Sequence, residues 1–553
     1  MSQTSTQTQL ERMSQSEERV TASDAFKSAS RIPSSMYEVA KQDRLAFWEN
    51  QARQLDWDQP WDATLAWNRP NAQWFVNGKL NASVNCLDRH LAQNANKTAI
   101  IWESEDGRVE NYSYQELHTE VKKMASVLRS LGLKKGDRVT IYLPMIPSLA
   151  VAVLACARIG AIHSVVFAGF SSDALQGRIQ DSESKLLITT DGVHRRGKVL
   201  DLQAIAKAAT QDCPNLEHVL FIPNLNTDAP APVSSWKSYP ELKSTVGDDS
   251  EPESMDSEDS LFILYTSGST GKPKGIIHST GGYMTHAAYS FKTVFDHKAD
   301  DVFWCTADIG WITGHSYVIY GPLANAATVV MYEGSPDFPN YSRFWDMIER
   351  HKVSVFYTAP TAIRAFMKWG DEHVTKHDLS SLRLLGTVGE PINPAAWNWF
   401  HRVVGGSKCP IVDTWWQTET GGIMISNIPS LNDMKPGSAG IPLPGISAEI
   451  LNENGEPQSE GSGLLSLTEP WPSMLRGIWG DEQRFKDTYW DRFETYYAGD
   501  GANVDADGYF TILGRVDDVL NVSGHRIGTM EVESSIVGVD GVAEAAVVGM
   551  PDE

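Results

Sequence analysis

Cysteine is scarce and poorly placed for cross-linking. The five present, Cys86, Cys156, Cys213, Cys305 and Cys409, form no C-x-x-C pair and no metal-like spacing with histidine. That points away from a structural zinc and towards a reducing compartment, the cytoplasm. Positive charge is also in deficit: 47 Lys and Arg against 70 Asp and Glu leave a formal net charge of −23. The mean field repels polyanions, so neither nucleic acid nor an anionic membrane is expected as a partner, and any anionic ligand needs a local basic pocket. Long apolar runs are lacking too. The most apolar stretch, Leu149 to Phe170, contains Arg158 and His163 and reads as a buried strand and helix rather than a membrane span. The first 33 residues, rich in Ser, Thr, Gln and Glu, lack the apolar core of a signal peptide and are expected to be a mobile tail.

Several signatures are missing as well. There is no G-x-G-x-x-G and no G-x-S-x-G, which disfavours a dinucleotide enzyme and an α/β-hydrolase. "NVDADG", Asn503 to Gly508, opens like a calcium loop, but its twelfth position is Gly514 instead of Glu. A hairpin turn is the better reading.

What is present is a chain of 553 residues, 41% hydrophobic and 21% charged, which suits a soluble globular protein of two or three domains. Met36 to Trp67 looks helical. At Ser113 "SYQE" forms a capping box before an amphipathic helix with Leu117, Val121, Met124, Ala125 and Leu128 on one face. The strand "RVTIYL", an apolar helix after Pro147, "HSVVF", a helix from Ser172 and "KLLIT" then alternate as βαβ units. An acidic, Pro- and Ser-rich loop, Asn224 to Asp259, separates these from the strands "LFILYT", "ATVVMY", "VSVFYT" and "LRLLGTV". The pattern predicts a parallel sheet covered on both faces, whose polar turns "TSGSTGKPKG", "TAPTAI", "TVGEP" and "DTWWQTETGG" converge on one crevice. From about Gly437 short, Gly-punctuated strands indicate an antiparallel subdomain, and from Asp518 a new βα pattern begins: "DVLNVSG", a helix near Glu531 to Val537, then "AEAAVVGM". The predicted organisation is a tail (1–33), an N-terminal segment (34–110), an α/β core (111–436), an antiparallel β subdomain (437–516), and a hinge with the start of a small α+β C-terminal domain (517–553).

The turn "YTSGSTGKPKG", Tyr265 to Gly275, is not a Walker loop: Gly268 and Gly271 are too close, and Pro273 follows Lys272. Its hydroxyls and lysines can still wrap a polyphosphate. A flexible surface turn would account for the Gly and Pro but not for packed hydroxyls after a buried strand.

Together with "DTWWQTETGG", "YYAGDG" and "GRVDDVLNVSGHRIG", this turn resembles the adenylate-forming acyl-CoA synthetases. "WFVNGKLNASVNCLDRHL" and "GWITGHSYVIYGPL" narrow the likeness to the AMP-forming acetyl-CoA synthetases, over residues from about 36 to 553. The resemblance implies two half-reactions: acetate attacks the α-phosphate of Mg·ATP to give acetyl-adenylate and pyrophosphate, then the thiol of coenzyme A takes the acetyl group and AMP leaves. It places Thr266, Ser267, Gly268, Ser269, Thr270, Gly271 and Lys274 at the phosphates. Gly389, Glu390 and Pro391, with Asp413, Thr414, Trp415, Trp416, Gln417 and Thr418, would frame adenine and the α-phosphate. Glu419 would help hold Mg²⁺, for which a hard carboxylate oxygen is suited. Asp500 would anchor the ribose with Arg515 in support, and Arg526 would meet the phosphate. Thr266, Lys274, Thr418, Glu419 and Arg526 form the implied catalytic set. Ordinary ion pairs at a domain junction are the alternative for Asp500, Arg515 and Arg526, and a plain core role is the alternative for Trp416.

By the same likeness Trp311, Ile312, Thr313, Val388 and Trp416 shape the acyl pocket, Trp416 as its floor. Ile312 stands where the family often has the smaller Val, and one methylene is worth about 1 to 3 kcal/mol, so propionate is disfavoured, not excluded. Arg195, Arg196, Gly197 and Lys198, with Thr313, Ser523 and Gly524, fall at coenzyme A positions. Asp337 stands where relatives tend to have Asn, and an anion there would repel a phosphate. Val539 replaces a possible His, so no side-chain metal ligand is expected there. Asp517 matches the hinge. The family also carries a lysine in an R-S-G-K-type motif near the end of its mobile domain, and none occurs up to Glu553. The sequence is therefore expected to be shortened within its last domain, to bind ATP or AMP, and to adenylate acetate poorly. The competing expectations are a propionyl-CoA synthetase and a nucleotide-binding but catalytically silent relative.

Overall fold

A computed structural model describes residues 18–225, 230–248, 250–266 and 272–516, with the backbone of two short strands, Leu520–Val522 and His525–Ile527. The predicted capping box at Ser113 forms: the Ser113 hydroxyl accepts from Glu116 N, and Glu116 Oε2 accepts from Ser113 N over 2.8 Å. It starts the helix Tyr114–Ser130, which buries the five predicted apolar positions. The apolar run becomes the helix Pro147–Ile159, opened by a proline whose missing N–H costs nothing there and closed by Gly160 at φ 71°. Arg158 on this helix is 3% exposed, tolerable because its guanidinium forks onto Asp88 at 2.9 and 3.1 Å. Among the described residues no helix is long and apolar enough to cross a membrane.

The βα-layered core is built on two sheets. One has seven strands, in the order Lys237–Ser238, His218–Ile222, Leu186–Thr190, Arg138–Tyr142, Ile162–Val165, Ser260–Thr266 and Lys274–Ser279; it is parallel except for the last, antiparallel pair. The other has nine: Ile441–Pro442, Ile425–Ser426, Ile411–Trp415, Leu384–Thr387, Val355–Thr358, Val302–Cys305, Thr328–Glu333, Thr98–Ser104 and Val109–Ser113, parallel in the middle and antiparallel at both edges. Strand–helix alternation sets the crossovers but not the sheet each strand enters, which long-range pairing decides. Apolar side chains of both sheets, such as Leu264 and Val412, belong to one core cluster.

A third, antiparallel sheet runs Pro457–Gln458, Ala448–Leu451, Gly461–Leu467, Tyr496–Val504 and Phe510–Arg515. It starts later than the composition change at Gly437, because Ile441–Pro442 still pairs with Ile425–Ser426. Its core takes in Trp415 from the nine-stranded sheet and Phe47, Trp48 and Trp74 from the N-terminal segment.

Two further expectations change. Met36 to Trp67 is helical only as Met36–Gln42 and Arg44–Ala52; Ala63–Asn68 is a strand paired with Asn71–Val76, its Leu65 and Trp67 on one face of the ribbon. Residues 18–33, expected to be mobile, are docked. Val20 and Met434 exchange backbone hydrogen bonds of 2.9 Å, and Ser23 caps a helix, Asp24–Ala29. The "NVDADG" segment is a turn, as read, closed by Gly508 N to Asp505 O at 2.9 Å. The sequence-predicted helix near Glu531 to Val537, the "AEAAVVGM" stretch and Val539 lie outside the described residues.

Candidate active site

The parallel strands Val355–Thr358, Leu384–Thr387 and Ile411–Trp415 are neighbours in register, so their carboxyl ends open at one edge. That is where ligands bind in open α/β sheets. Asp413 does not face the crevice. It is 4% exposed, accepts from Thr387 Oγ1 and from Trp397 Nε1 at 2.8 Å, and ties the strand ends to the helix Pro394–Trp399; burial pushes its carboxyl up to about 7. Thr414 Oγ1 donates to Thr387 O over 2.7 Å. The Glu390 carboxylate is likewise occupied, accepting from Thr361 N at 2.7 Å at a helix start and pairing with Arg364 at 2.9 Å. Between them Gly389, at φ 94° and with nothing within 4 Å of where a Cβ would sit, offers open backbone.

Lys274, on an edge strand of the seven-stranded sheet, meets Glu419, in the turn that follows the strand Ile411–Trp415 of the nine-stranded one. Lys274 Nζ lies 3.3 Å from Glu419 Oε1 and 2.7 Å from Tyr489 OH, and Tyr489 in turn donates to Glu419 Oε1. The ammonium also sits 4.8 Å from the centre of the Tyr489 ring. All three are largely buried, Tyr489 at 3% exposure, and the tyrosine stacks on Tyr496 at 5.5 Å. Burial and the neighbouring carboxylate push its phenol well up, so it stays a hydrogen-bond donor. Sequence reasoning missed Tyr489. It ends the helix Glu482–Tyr489 in a stretch that reads as ordinary aromatic core. With Oε1 doubly engaged, Glu419 has its second oxygen to offer a cation, the hard-donor chemistry a magnesium ion takes. Behind Glu419, His278 Nε2 donates to Thr418 O over 2.6 Å; burial holds this imidazole neutral by lowering it to about 3. Thr266 Oγ1, at the end of its strand, is buried without a hydrogen-bond partner among the described residues.

Asp500 is 7% exposed in the strand Tyr496–Val504. Trp415 Nε1 and Gln417 Nε2 donate to its Oδ2 at 3.0 and 2.9 Å, and Arg515 NH1 stands 3.7 Å from Oδ1. Gln417 is itself held by Tyr496 OH, 2.9 Å from its Oε1. Burial raises the carboxyl to about 6 against the pull of Arg515 and the two donors.

Trp416 packs edge-on to Tyr317, centroids 5.0 Å apart, against an apolar cluster that contains the buried Ile312 and Val388. Half-buried Thr313 follows Ile312 in the short helix Ile312–Gly314. Gly314 admits no side chain: a Cβ would lie 2.3 Å from Asp308 O. Trp311 is placed elsewhere. It is 48% exposed and lies on Phe167 and Phe170, centroids 5.9 and 6.0 Å away.

Arg195 to Lys198 span the tip of a hairpin, Gly192–Arg195 with Lys198–Asp201. Asp337 is not a bare anion beside them, because Arg196 Nε donates to its Oδ1 over 3.2 Å, and against the cost of burial the hydrogen bonds from Ser335 and then Arg196 hold its carboxyl below the usual range. Ser267 to Gly271, Asp517, Ser523 and Gly524 fall outside the described residues, as does the side chain of Arg526.

This geometry agrees with what the chain is similar to. The family described as AMP-binding enzyme matches residues 87–479, and that described as Acetyl-coenzyme A synthetase N-terminus matches residues 34–86. An acetyl-coenzyme A synthetase of Gemmatimonas aurantiaca is 56% identical over 523 residues, 93% of this chain and 80% of that protein. One from Chlorobaculum tepidum is 53% identical over 538 residues, covering 96% and 82%. Among solved structures, the acetoacetyl-CoA synthetase from Streptomyces lividans superposes with a TM-score of 0.88 at 26% identity, over 96% of this chain and 85% of that one.

Proposed function

Since the chain belongs to the AMP-binding enzyme family as an AMP-forming ligase of the acetyl-coenzyme A synthetase branch, we propose that it joins acetate to coenzyme A through acetyl-adenylate, with each site residue acting as follows. One observation carries the reading: Lys274 and Glu419 are joined by hydrogen bonds through Tyr489, Asp500 is held through Gln417 and Tyr496, and the stacked rings of Tyr489 and Tyr496 bring the two sets together beside the pocket lined by Trp416.

Asp500 accepts from the ribose hydroxyls through the Oδ1 edge, its other oxygen being saturated by Trp415 and Gln417. Gly389 to Pro391 present backbone to adenine. Thr266, the glycine- and serine-rich turn Ser267 to Gly271, and Lys274 take the β- and γ-phosphates, and Arg526 meets the α-phosphate. Trp416, Ile312, Thr313 and Val388 leave room for a methyl group. A carboxylate oxygen of acetate then forms the bond to the α-phosphorus while the bond to pyrophosphate breaks. In the second half, thiolate sulfur bonds to the acetyl carbon, AMP leaves with its electron pair, and the thiol proton passes to solvent. Charge grows on phosphate and carbonyl oxygens in both steps, so fixed cations and dipoles aimed at them supply most of the acceleration. Glu419 would hold Mg²⁺, which when bound neutralises phosphate charge. Arg195, Arg196, Gly197 and Lys198, with Ser523 and Gly524, take coenzyme A, and Asp517 is the hinge.

Titration with a nonhydrolysable acetyl-adenylate analogue tests the reading without requiring turnover. The analogue should bind more tightly than AMP and more tightly than a hexanoyl counterpart, and Asp500→Ala should weaken both the acetyl analogue and AMP. Equal affinity for the two acyl chains would sink the acetate assignment.

A further inference from the structure

Glu105 follows the strand Thr98–Ser104 and is 3% exposed, a depth at which a carboxylate must be hydrogen-bonded to persist. Its partners are three backbone N–H groups. Oε1 accepts from Arg196 N at 2.9 Å and from Ser335 N at 3.1 Å, and Oε2 accepts from Gly197 N at 2.9 Å. Arg196 and Gly197 are the tip of the hairpin Gly192–Arg195 with Lys198–Asp201, and both are left-handed, at φ 50° and 70°. Such a tip is strained at a non-glycine residue, and the two amides it turns inward need an acceptor. Glu105 supplies it. Ser335 belongs to the loop after the strand Thr328–Glu333, the loop that carries Asp337 and Phe338.

The tip is tied to that loop twice more. Arg196 pairs with Asp337, and Gly197 lies flat against the Phe338 ring, where a Cβ would approach to 2.9 Å. Arg196 and Asp337 thus spend their charges on each other. Arg195 and Lys198, on either side of the tip, remain exposed.

We infer that Glu105 is a positioning residue for the phosphate-bearing nucleotide end of coenzyme A: by binding both tip amides and Ser335 it fixes the hairpin from which Arg195 and Lys198 meet the anion. The inference rests on the proposed reading of that hairpin as a coenzyme A contact. Glu105 acts through the backbone and does not touch the ligand. Replacing it frees the tip to turn, and cations displaced by an ångström bind a fixed anion much less well.

Isothermal titration of the whole chain with coenzyme A, and separately with AMP, provides the test. Glu105→Gln should weaken coenzyme A by about ten- to a hundredfold and leave AMP unchanged, a split that general loosening of the fold would not produce. Glu105→Asp, which keeps the charge at shorter reach, should fall between Gln and the parent, and serves if the Gln variant folds poorly. Arg195→Ala combined with Glu105→Gln should be little weaker than Arg195→Ala alone, because the carboxylate works through the hairpin that bears this arginine. Coenzyme A weakened by Arg195→Ala but untouched by either Glu105 variant overturns the role of Glu105 alone. Coenzyme A affinity unmoved by Arg195→Ala and Lys198→Ala overturns the reading of the hairpin and the inference with it. Equal losses for AMP and coenzyme A in the Glu105 variants also overturn it.

Discussion

Trp415 Nε1 donates to Asp500 Oδ2 over 3.0 Å, so the last residue of a strand in the nine-stranded sheet aims a carboxylate that belongs to the five-stranded one. Gln417, two residues on, donates to the same oxygen. The orientation of the proposed ribose anchor is therefore set by the junction between the α/β core and the antiparallel subdomain.

That placement makes nucleotide binding pH-dependent. Below about 6 the buried Asp500 carboxyl keeps its proton and loses an acceptor. AMP affinity measured at constant salt should fall as pH drops from 7 towards 5, by up to about tenfold per unit below the midpoint. Asp500→Asn should bind more weakly and show no such slope. Stability runs the other way. The folded carboxyl binds its proton more tightly than the unfolded one, so its contribution is fully present below about pH 4 and is lost as pH rises through about 6. A flat AMP titration in the parent protein would remove Asp500 from the ribose.

Tyr489 should separate ATP from AMP. Its hydroxyl bridges Lys274 and Glu419, the two groups proposed for the outer phosphates and their cation, and touches neither Asp500 nor Trp415. Tyr489→Phe keeps the stacked ring but removes the bridge. Hydrogen bonds to charged groups are worth about 1.5 to 3 kcal/mol. ATP affinity with magnesium should drop by about tenfold or more, AMP affinity should hold, and the unfolding free energy should fall by a comparable amount. Equal losses for the two nucleotides would mean that the tyrosine only supports the fold.

Legibility in the sequence followed the range of the interactions. The capping box at Ser113, the proline start of the helix at Pro147 and the strands ending at Thr266, Thr358 and Thr387 are local signals, and they appear where the pattern put them. The division into two sheets was not legible, because a strand such as Ser260–Thr266 has the same apolar composition whichever partner it pairs with. Lys274, Glu419 and Asp500 could be singled out by motif, but their mutual arrangement could not. The bridge through Tyr489 spans 215 residues from Lys274, and nothing in an isolated tyrosine announces it. Motif reading did not reveal the side-chain partners of Glu390 and Asp413, whose carboxylates are engaged by Arg364 and Trp397. Asp337 looked like a misplaced anion until the pairing with Arg196 supplied its partner.

The acidic turn at Asp505 should ignore calcium. Lys435 Nζ lies 2.5 Å from Asp505 Oδ2 and 2.7 Å from Asp507 Oδ2, with the Tyr509 ring 4.4 Å away, so an ammonium already occupies the space between the carboxylates. Millimolar calcium should leave the melting temperature of the parent protein unchanged. Lys435→Met should lower the melting temperature, since it leaves Asp505 without its cation and Asp507 with Arg19 alone. A calcium-dependent rise in the parent would show that the lysine can be displaced.

Acyl length should be set by Trp416. Its ring meets Tyr317 edge-on at 5.0 Å and its Nε1 is 3.4 Å from Tyr357 OH, so the indole is braced by two tyrosines against the cluster that contains Ile312 and Val388. Trp416→Gly removes that floor and opens a slot between tyrosines. Each methylene that enters an apolar slot gains about 0.8 kcal/mol, roughly fourfold in affinity, and acetate has none to insert. Acyl-adenylate analogues from acetyl to hexanoyl, titrated against the variant, should therefore gain about fourfold per carbon, where the parent should lose affinity beyond propionyl. Ile312→Val is a smaller change, expected to help propionyl by about 1 kcal/mol and hexanoyl hardly at all. Truncating a large packed ring carries a stability cost of about 2 to 4 kcal/mol, so the comparison needs a melting curve for each variant. A folded Trp416→Gly protein that still prefers acetyl would place the limit on chain length in the Ile312 and Val388 wall instead.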